Sequence, residues 1–170
     1  MSVILNQVDA VVRSAKVKRY HIQNTQQTQT VGEHTYGVVW LVYLLSGGAC
    51  SKPLMLAALM HDTPEYVTGD VPAPVKKLGE IKSVFDDMEK SVFDELFLNF
   101  PELNEEEHGL LKLADCLEGA LFCLSEAQRG NRLIKTCLLE YIKYINTLAP
   151  TGLGLQIFDN VKELTRDIFS

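Results

Sequence analysis

Apolar positions recur along most of this chain at the three-and-four spacing of an α-helix and nowhere alternate as in a strand, which predicts an all-α fold. Residues 2–14 place Val3, Ile4, Val8, Val11 and Val12 on one face of a first helix. The period is lost over residues 15–30, a loop that carries Lys16, Lys18, Arg19 and Tyr20. Thr30-Val31-Gly32-Glu33 has the form of a capping box, so the next helix starts there and ends near Ser46, before Gly47-Gly48. Ser51 and Pro53 open a third helix, whose run Leu54-Met55-Leu56-Ala57-Ala58-Leu59-Met60 reads as buried on all sides. The run meets His61-Asp62 and then Pro64, which should kink or end the helix. On a straight helix His61 and Glu65 would share a face.

Beyond this point Thr68-Gly69-Asp70-Val71-Pro72 predicts a turn, followed by the short basic segment Val75-Lys76-Lys77. Ile81, Val84, Phe85, Met88, Val92, Leu96 and Phe97 predict a long amphipathic helix over about 80–100, closed by Pro101, its stripe facing the core. Asn104 and Glu107 form a second capping box, opening a helix that continues to about Gln128. Helices follow at about 132–147 and 153–168. No repeat, low-complexity tract or boundary interrupts the pattern, so residues 1–170 are expected to form a single domain.

Charge narrows the function classes. The formal net charge of -6 argues against a partner such as a nucleic-acid polymer, which needs a basic stripe, but leaves room for a basic pocket around a small phosphorylated ligand. The first residues lack the basic and apolar regions of a signal peptide, and no apolar run is long enough for a membrane span. Cys50, Cys116, Cys123 and Cys137 lack CxxC spacing and sit in apolar helical patterns, as reduced core residues of a cytoplasmic protein would.

The candidate chemistry is polar residues in apolar surroundings. A His-Asp pair closing an apolar helix is costly to bury without partners. A local hydrogen-bonded pair satisfies it, and so does a divalent cation. His34 falls in the first turn of its helix, and Asp115 sits among Leu111, Leu113, Ala114 and Leu117, either facing solvent at a boundary or needing a partner. Taken together, His34, His61, Asp62 and Asp115 supply two imidazoles and two carboxylates from separate helices. Four such ligands suit one divalent ion and leave two positions for water or phosphate oxygens. The loop at 15–30 reads equally as a solvated loop or as a phosphate-and-base site.

The order H…HD…D resembles the signature of the HD-domain metal-dependent phosphohydrolases. Val31-Gly32-Glu33-His34, His61-Asp62-Thr63-Pro64-Glu65, Thr68-Gly69-Asp70-Val71-Pro72-Ala73-Pro74-Val75-Lys76 and Leu111-Lys112-Leu113-Ala114-Asp115 are similar to the bacterial 5'-deoxynucleotidases of that superfamily. The resemblance implies one helical HD domain and one divalent metal ion (cobalt, manganese, zinc or magnesium) on His34, His61, Asp62 and Asp115. Glu65 and Asp70 match the family's catalytic acids. Arg19 and Tyr20 match an Arg-aromatic pair that holds phosphate or sugar and stacks on the base, where the family more often has Trp at the Tyr20 position. Lys76 matches a basic position near the phosphates, with Lys77 beside it.

Two activities occur within this resemblance. The bacterial enzymes release phosphate from deoxynucleoside monophosphates, whereas a compact bacteriophage type cleaves dATP to deoxyadenosine and triphosphate. Arg19-Tyr20-His21-Ile22 and Gln29-Thr30-Val31-Gly32-Glu33-His34 look closer to the phage type, with Ile22 lining an adenine pocket, so dATP is the expected substrate. The resemblance further implies a homo-oligomer in the cytoplasm, in the phage case that of the host. A non-catalytic nucleotide-sensing module is the reading from another class, and the presence of Glu65 and Asp70 weighs against it.

Overall fold

The computed structural model describes residues 2–72, 75 and 81–170. Its helices are α1 (Val3–Ser14), α2 (Val31–Leu45), α3 (Lys52–Met60), α4 (Glu65–Thr68), α5 (Ile81–Glu95), α6 (Glu105–Gln128), α7 (Lys135–Thr147) and α8 (Gly152–Phe169), with a 3-10 turn Arg132–Ile134 before α7. Among the described residues the β-structure is one isolated bridge, Lys18 to Thr30. The fold is all-α. No helix among these residues is long and apolar enough to cross a membrane.

Helix α6 is the axis. It packs on α2, α3, α7 and α8. Its inward residues Leu111, Ala114, Leu117, Ala120, Cys123, Leu124 and Ala127 join Val38, Val42, Ala57, Leu138, Ile145, Phe158 and Val161 in one buried cluster. Both capping boxes form. The Thr30 and Asn104 side chains accept from the backbone N–H of Glu33 and Glu107, and both glutamates accept the cap N–H in return. The start of α2 is fixed further by the loop before it. Val31 N–H donates to Val17 O at 2.9 Å, and Arg19 N–H donates to Gln29 O at 2.9 Å.

Two expectations need correction, at 54–60 and on α5. The run at 54–60 is not buried all round: Leu56 and Leu59 are exposed, because α3 lies on the bundle surface and packs chiefly on α2 and α6. On α1 the stripe Val3, Ile4, Val8, Val11 and Val12 is exposed, because Ala10 and Ser14 are the residues turned inward. On α5, Val84 and Met88 are exposed and only the final turns, through Val92, Phe93 and Leu96, are buried. Phe97 adopts φ 51° after the helix has ended, which turns its ring out to 75% exposure.

Helix α3 ends before Pro64 is reached, for a reason the proline supplies. Proline has no N–H to give the carbonyl four residues back. Met60 O accepts instead from Thr63 N–H at 2.9 Å, and Asp62 O from Glu65 N–H at 3.1 Å. The chain therefore turns tightly through 61–64 and restarts as α4 at Glu65, so His61 and Glu65 do not share a continuous helix face. Gly69 stops α4 at φ 70°, a left-handed conformation that favours glycine, and its N–H donates to Glu65 O at 2.7 Å.

Candidate metal centre and active site

His34, His61, Asp62 and Asp115 meet where the first turn of α2, the end of α3 and the middle of α6 approach one another. His34 Nε2 lies 3.4 Å from Asp62 Oδ2, 3.3 Å from Asp115 Oδ1 and 3.4 Å from His61 Nε2. His61 Nε2 lies 3.3 Å from Asp62 Oδ2. The His34, His61 and Asp115 ligand atoms all fall within 4.8 Å of one another.

This donor set fits a cation. Adjacent ligand atoms each about 2 Å from one ion stand about 3 Å apart, and an ion held by these four would keep further positions open. The tautomers agree with that geometry. His61 Nδ1–H donates to Ala58 O at 2.9 Å, which leaves its Nε2 lone pair facing the cluster. His34 turns its Nδ1 to the Glu118 carboxylate, so its Nε2 also faces inward. Two imidazole lone pairs and two carboxylates pointed at one another need positive charge between them, either protons or a metal.

In the metal-free chain that charge is a proton. Burial works against a charged His61, but Asp62 outweighs it and pushes its pKa up to about 9. Burial likewise works to raise the Asp62 carboxyl, and His61 holds it below its ordinary range. Asp115 is also held low against burial, chiefly by Lys112, whose ammonium donates to Asp115 Oδ2 at 2.8 Å.

Around the cluster stand the other expected residues. Arg19 is nearly buried, with Nη1 at 3.8 Å from Glu118 Oε2 and making no hydrogen bond among the described residues. Tyr20 follows at φ 56°, a conformation that costs a non-glycine residue on the order of 1 kcal/mol. Its ring stacks on Phe122 with centroids 4.8 Å apart, and its hydroxyl lies 2.9 Å from that of Tyr141. The ring that was expected to stack on a base is thus packed on α6. A Cβ at Gly119 would stand 2.4 Å from the Tyr141 ring, so the glycine makes room for this pairing. Asp70 Oδ2 accepts the Tyr20 N–H at 3.0 Å. Glu65 heads α4 and is buried. Ile22 is 60% exposed on the segment after Arg19. Lys76 and Lys77 lie outside the described residues.

The sequence reading missed Glu118. Its Oε1 accepts from Gln29 Nε2 at 2.7 Å, while Oε2 faces both His34 Nδ1 and Arg19. Burial pushes its pKa up to about 7, with Arg19 opposing. The one signal available was its spacing, one turn beyond Asp115 on the same helix.

Proteins of the same fold include the cyanophage S-2L HD phosphohydrolase DatZ, solved with dA and one catalytic Zn2+ ion. It is 21% identical with TM-score 0.60, and the match covers 94% of this chain and 95% of that one. An HD-domain phosphohydrolase of Listeria innocua gives TM-score 0.68 at 21% identity, covering 97% of this chain and 89% of its own. In sequence, a 5'-deoxynucleotidase of Pectobacterium atrosepticum is 28% identical over 156 residues, 74% of this chain and 78% of that protein. The model of the YfbR-like 5'-deoxynucleotidases matches residues 8–153. That span contains every residue of the cluster described above, and the chain belongs to the YfbR-like 5'-deoxynucleotidases.

Proposed function

We propose that this chain hydrolyses the 5'-phosphate ester of 2'-deoxynucleotides, with His34, His61, Asp62 and Asp115 holding one divalent cation. The observation that carries the reading is the convergence of those ligand atoms at 3.3–3.4 Å beside the buried Arg19. When bound, the cation supplies Lewis acidity toward a phosphoryl oxygen and toward water.

The remaining work falls to the chain's own groups. Arg19 Nη1 has an N–H to give a phosphate oxygen, and its charge offsets the negative charge that builds on the phosphoryl group. Glu65 follows the ligand turn directly and is assigned the proton leaving the attacking water. Asp70, bonded to the backbone beside Arg19, is assigned the proton delivered to the departing 5' oxygen. One bond forms, from water oxygen to phosphorus, and one breaks, from phosphorus to the 5' oxygen.

The relatives' activity favours monophosphates, releasing deoxynucleoside and phosphate. The dATP reading, with deoxyadenosine and triphosphate as products, is favoured by the likeness to a phage protein solved with dA and by exposed Ile22, whose side chain is available to an adenine edge. A panel of deoxynucleoside mono- and triphosphates with manganese, cobalt, zinc or magnesium tests both. Phosphate from monophosphates, abolished by a chelator, is the expected result. Triphosphate from dATP would establish the second reading, and Ile22→Ala should then narrow the preference for dATP over 2-amino-dATP by about 1–3 kcal/mol. No product from any nucleotide would leave a sensing module.

A further inference from the structure

We infer that Glu118 is a positioning residue that ties the candidate metal centre to Arg19, and that Gly37 provides the space it occupies. The inference rests on the metal-dependent reading above. A histidine that offers Nε2 to a cation must carry its proton on Nδ1, and the acceptor at Nδ1 fixes that tautomer. For His61 the acceptor is the Ala58 carbonyl, at 2.9 Å. For His34 it is the Glu118 carboxylate.

Glu118 differs from a carbonyl in carrying charge. Its Oε2 also faces the Arg19 guanidinium at 3.8 Å. Arg19 and a divalent cation would stand on the same side of a buried site, and their charges repel. Asp62, Asp115 and Glu118 set three carboxylates against the cation, Arg19 and the Lys112 ammonium, so removing the Glu118 charge leaves the loaded site more positive by one. The second carboxylate oxygen is held as well, by Gln29 Nε2 at 2.7 Å. Both ends of the carboxylate are therefore fixed, and it has no rotation in which it serves one partner alone.

The backbone has been shaped for this reach. Gly37 lies one turn after His34 on α2, against the Glu118 stem. A Cβ there would come to 2.7 Å from Glu118 Cγ and 3.2 Å from Oε1. Cγ is the middle of the side chain rather than its free end, so a methyl at Gly37 must displace the whole carboxylate.

Zinc alone serves as the probe. Calorimetric zinc titrations would be run on the parent, Glu118→Gln and Gly37→Ala, each checked for helix content and melting temperature. Glu118→Gln keeps the shape and removes the charge, and zinc affinity is expected to fall about 10–100-fold. Gly37→Ala keeps every charge, and its helix content and melting temperature show whether a comparable loss there arises from the moved carboxylate or from unfolding. Zinc affinity within twofold of the parent in Glu118→Gln overturns the role of Glu118. The same result in Gly37→Ala overturns the part given to Gly37. A parent that binds no zinc overturns both this inference and the metal-centre reading, so the two failures are distinguishable. The tie to Arg19 is read with inorganic phosphate on zinc-saturated protein. Glu118→Gln is expected to weaken phosphate binding in the parent background and to add little in an Arg19→Ala background. Additive losses would overturn the tie.

Discussion

Glu118 and Glu126 stand about two turns apart on α6, and both reach across to the segment that joins α1 to α2. Their partners differ. Glu126 is fully buried and accepts from the backbone N–H groups of Gln26 and Gln27 at 2.7 and 2.9 Å, and from Asn131 Nδ2 at 2.8 Å. Burial works to raise its pKa, and those neutral donors outweigh burial and hold it below the ordinary glutamate range. Glu118 faces a histidine and an arginine, and burial wins there, pushing it up to about 7. A carboxylate satisfied by fixed backbone donors is finished when the chain folds. One satisfied by His34 and Arg19 stays coupled to whatever those two bind. The same residue type on the same helix is thus an anchor at one end and part of the working site at the other.

Four groups of experiments can break or sharpen that division, and the largest effect belongs to the site end. Glu65→Ala removes a candidate proton acceptor without touching Glu118 or Glu126. Turnover is expected to fall by roughly two to four orders of magnitude, with metal content unchanged. Near-normal turnover, measured beside metal content and melting temperature, would take Glu65 out of the mechanism.

At the anchor end the effect should move to stability. Glu126→Ala strips the Gln26 and Gln27 N–H groups and the Asn131 amide of their acceptor, a cost of about 2–4 kcal/mol once water reaches the exposed part of the loop. Denaturant melts should show that loss, and kcat of the folded fraction should change less than tenfold. A variant with parental stability and collapsed turnover would place Glu126 in the site after all.

Acid and base should separate the two ends in opposite senses. Glu126 has a lowered folded pKa, so its contribution is present above the unfolded value of roughly 4.3 and lost as pH falls through the folded one. His61 has a folded pKa raised from 6.5 to about 9, so in metal-free protein its contribution is full below about 6.5 and lost as pH rises through about 9. Metal binding runs the other way. A cation must displace the His61 proton, so apparent affinity should rise roughly tenfold per pH unit up to about 9. Melting temperatures and metal titrations across this range check each sign, and an affinity independent of pH between 6 and 8 would mean that His61 is not a ligand.

How much of this was legible in the sequence depends on how local the cause is. Thr30–Glu33 and Asn104–Glu107 are local devices, read from four residues each, and both formed as expected. Pro64 acts on a carbonyl four residues away, and its effect was foreseen in kind though not in place. The stripe on α5 misled because periodicity shows that a helix has an apolar face and not that anything covers it. His34, His61, Asp62 and Asp115 could be gathered from a resemblance, whereas Glu118 depends on α2 and α6 passing close at Gly37, a tertiary fact. Nothing in the local sequence distinguishes Glu118 from a solvent-facing glutamate.

The smallest effect decides on which side of the division Tyr20 falls. Its ring is packed on Phe122 and its hydroxyl meets Tyr141, which ties it to the frame. Its N–H is held by Asp70, and Arg19 lies 5.5 Å from the ring centroid, which ties it to the site. Tyr141→Phe removes one hydroxyl and leaves the Tyr20 hydroxyl the weaker bond to Gly119 O, at 3.4 Å. The expected cost is about 1 kcal/mol, or roughly 2–4 °C in melting temperature for a chain of this size. If Tyr20 belongs with the anchor, that shift is the whole effect. If it positions Arg19, kcat/KM should fall severalfold, because Arg19 both holds the phosphate and offsets the charge that builds on it. We expect the second outcome, since φ 56° at Tyr20 is strain at the residue that turns the chain beside Arg19. A melting shift with unchanged kcat/KM would assign Tyr20 to the frame.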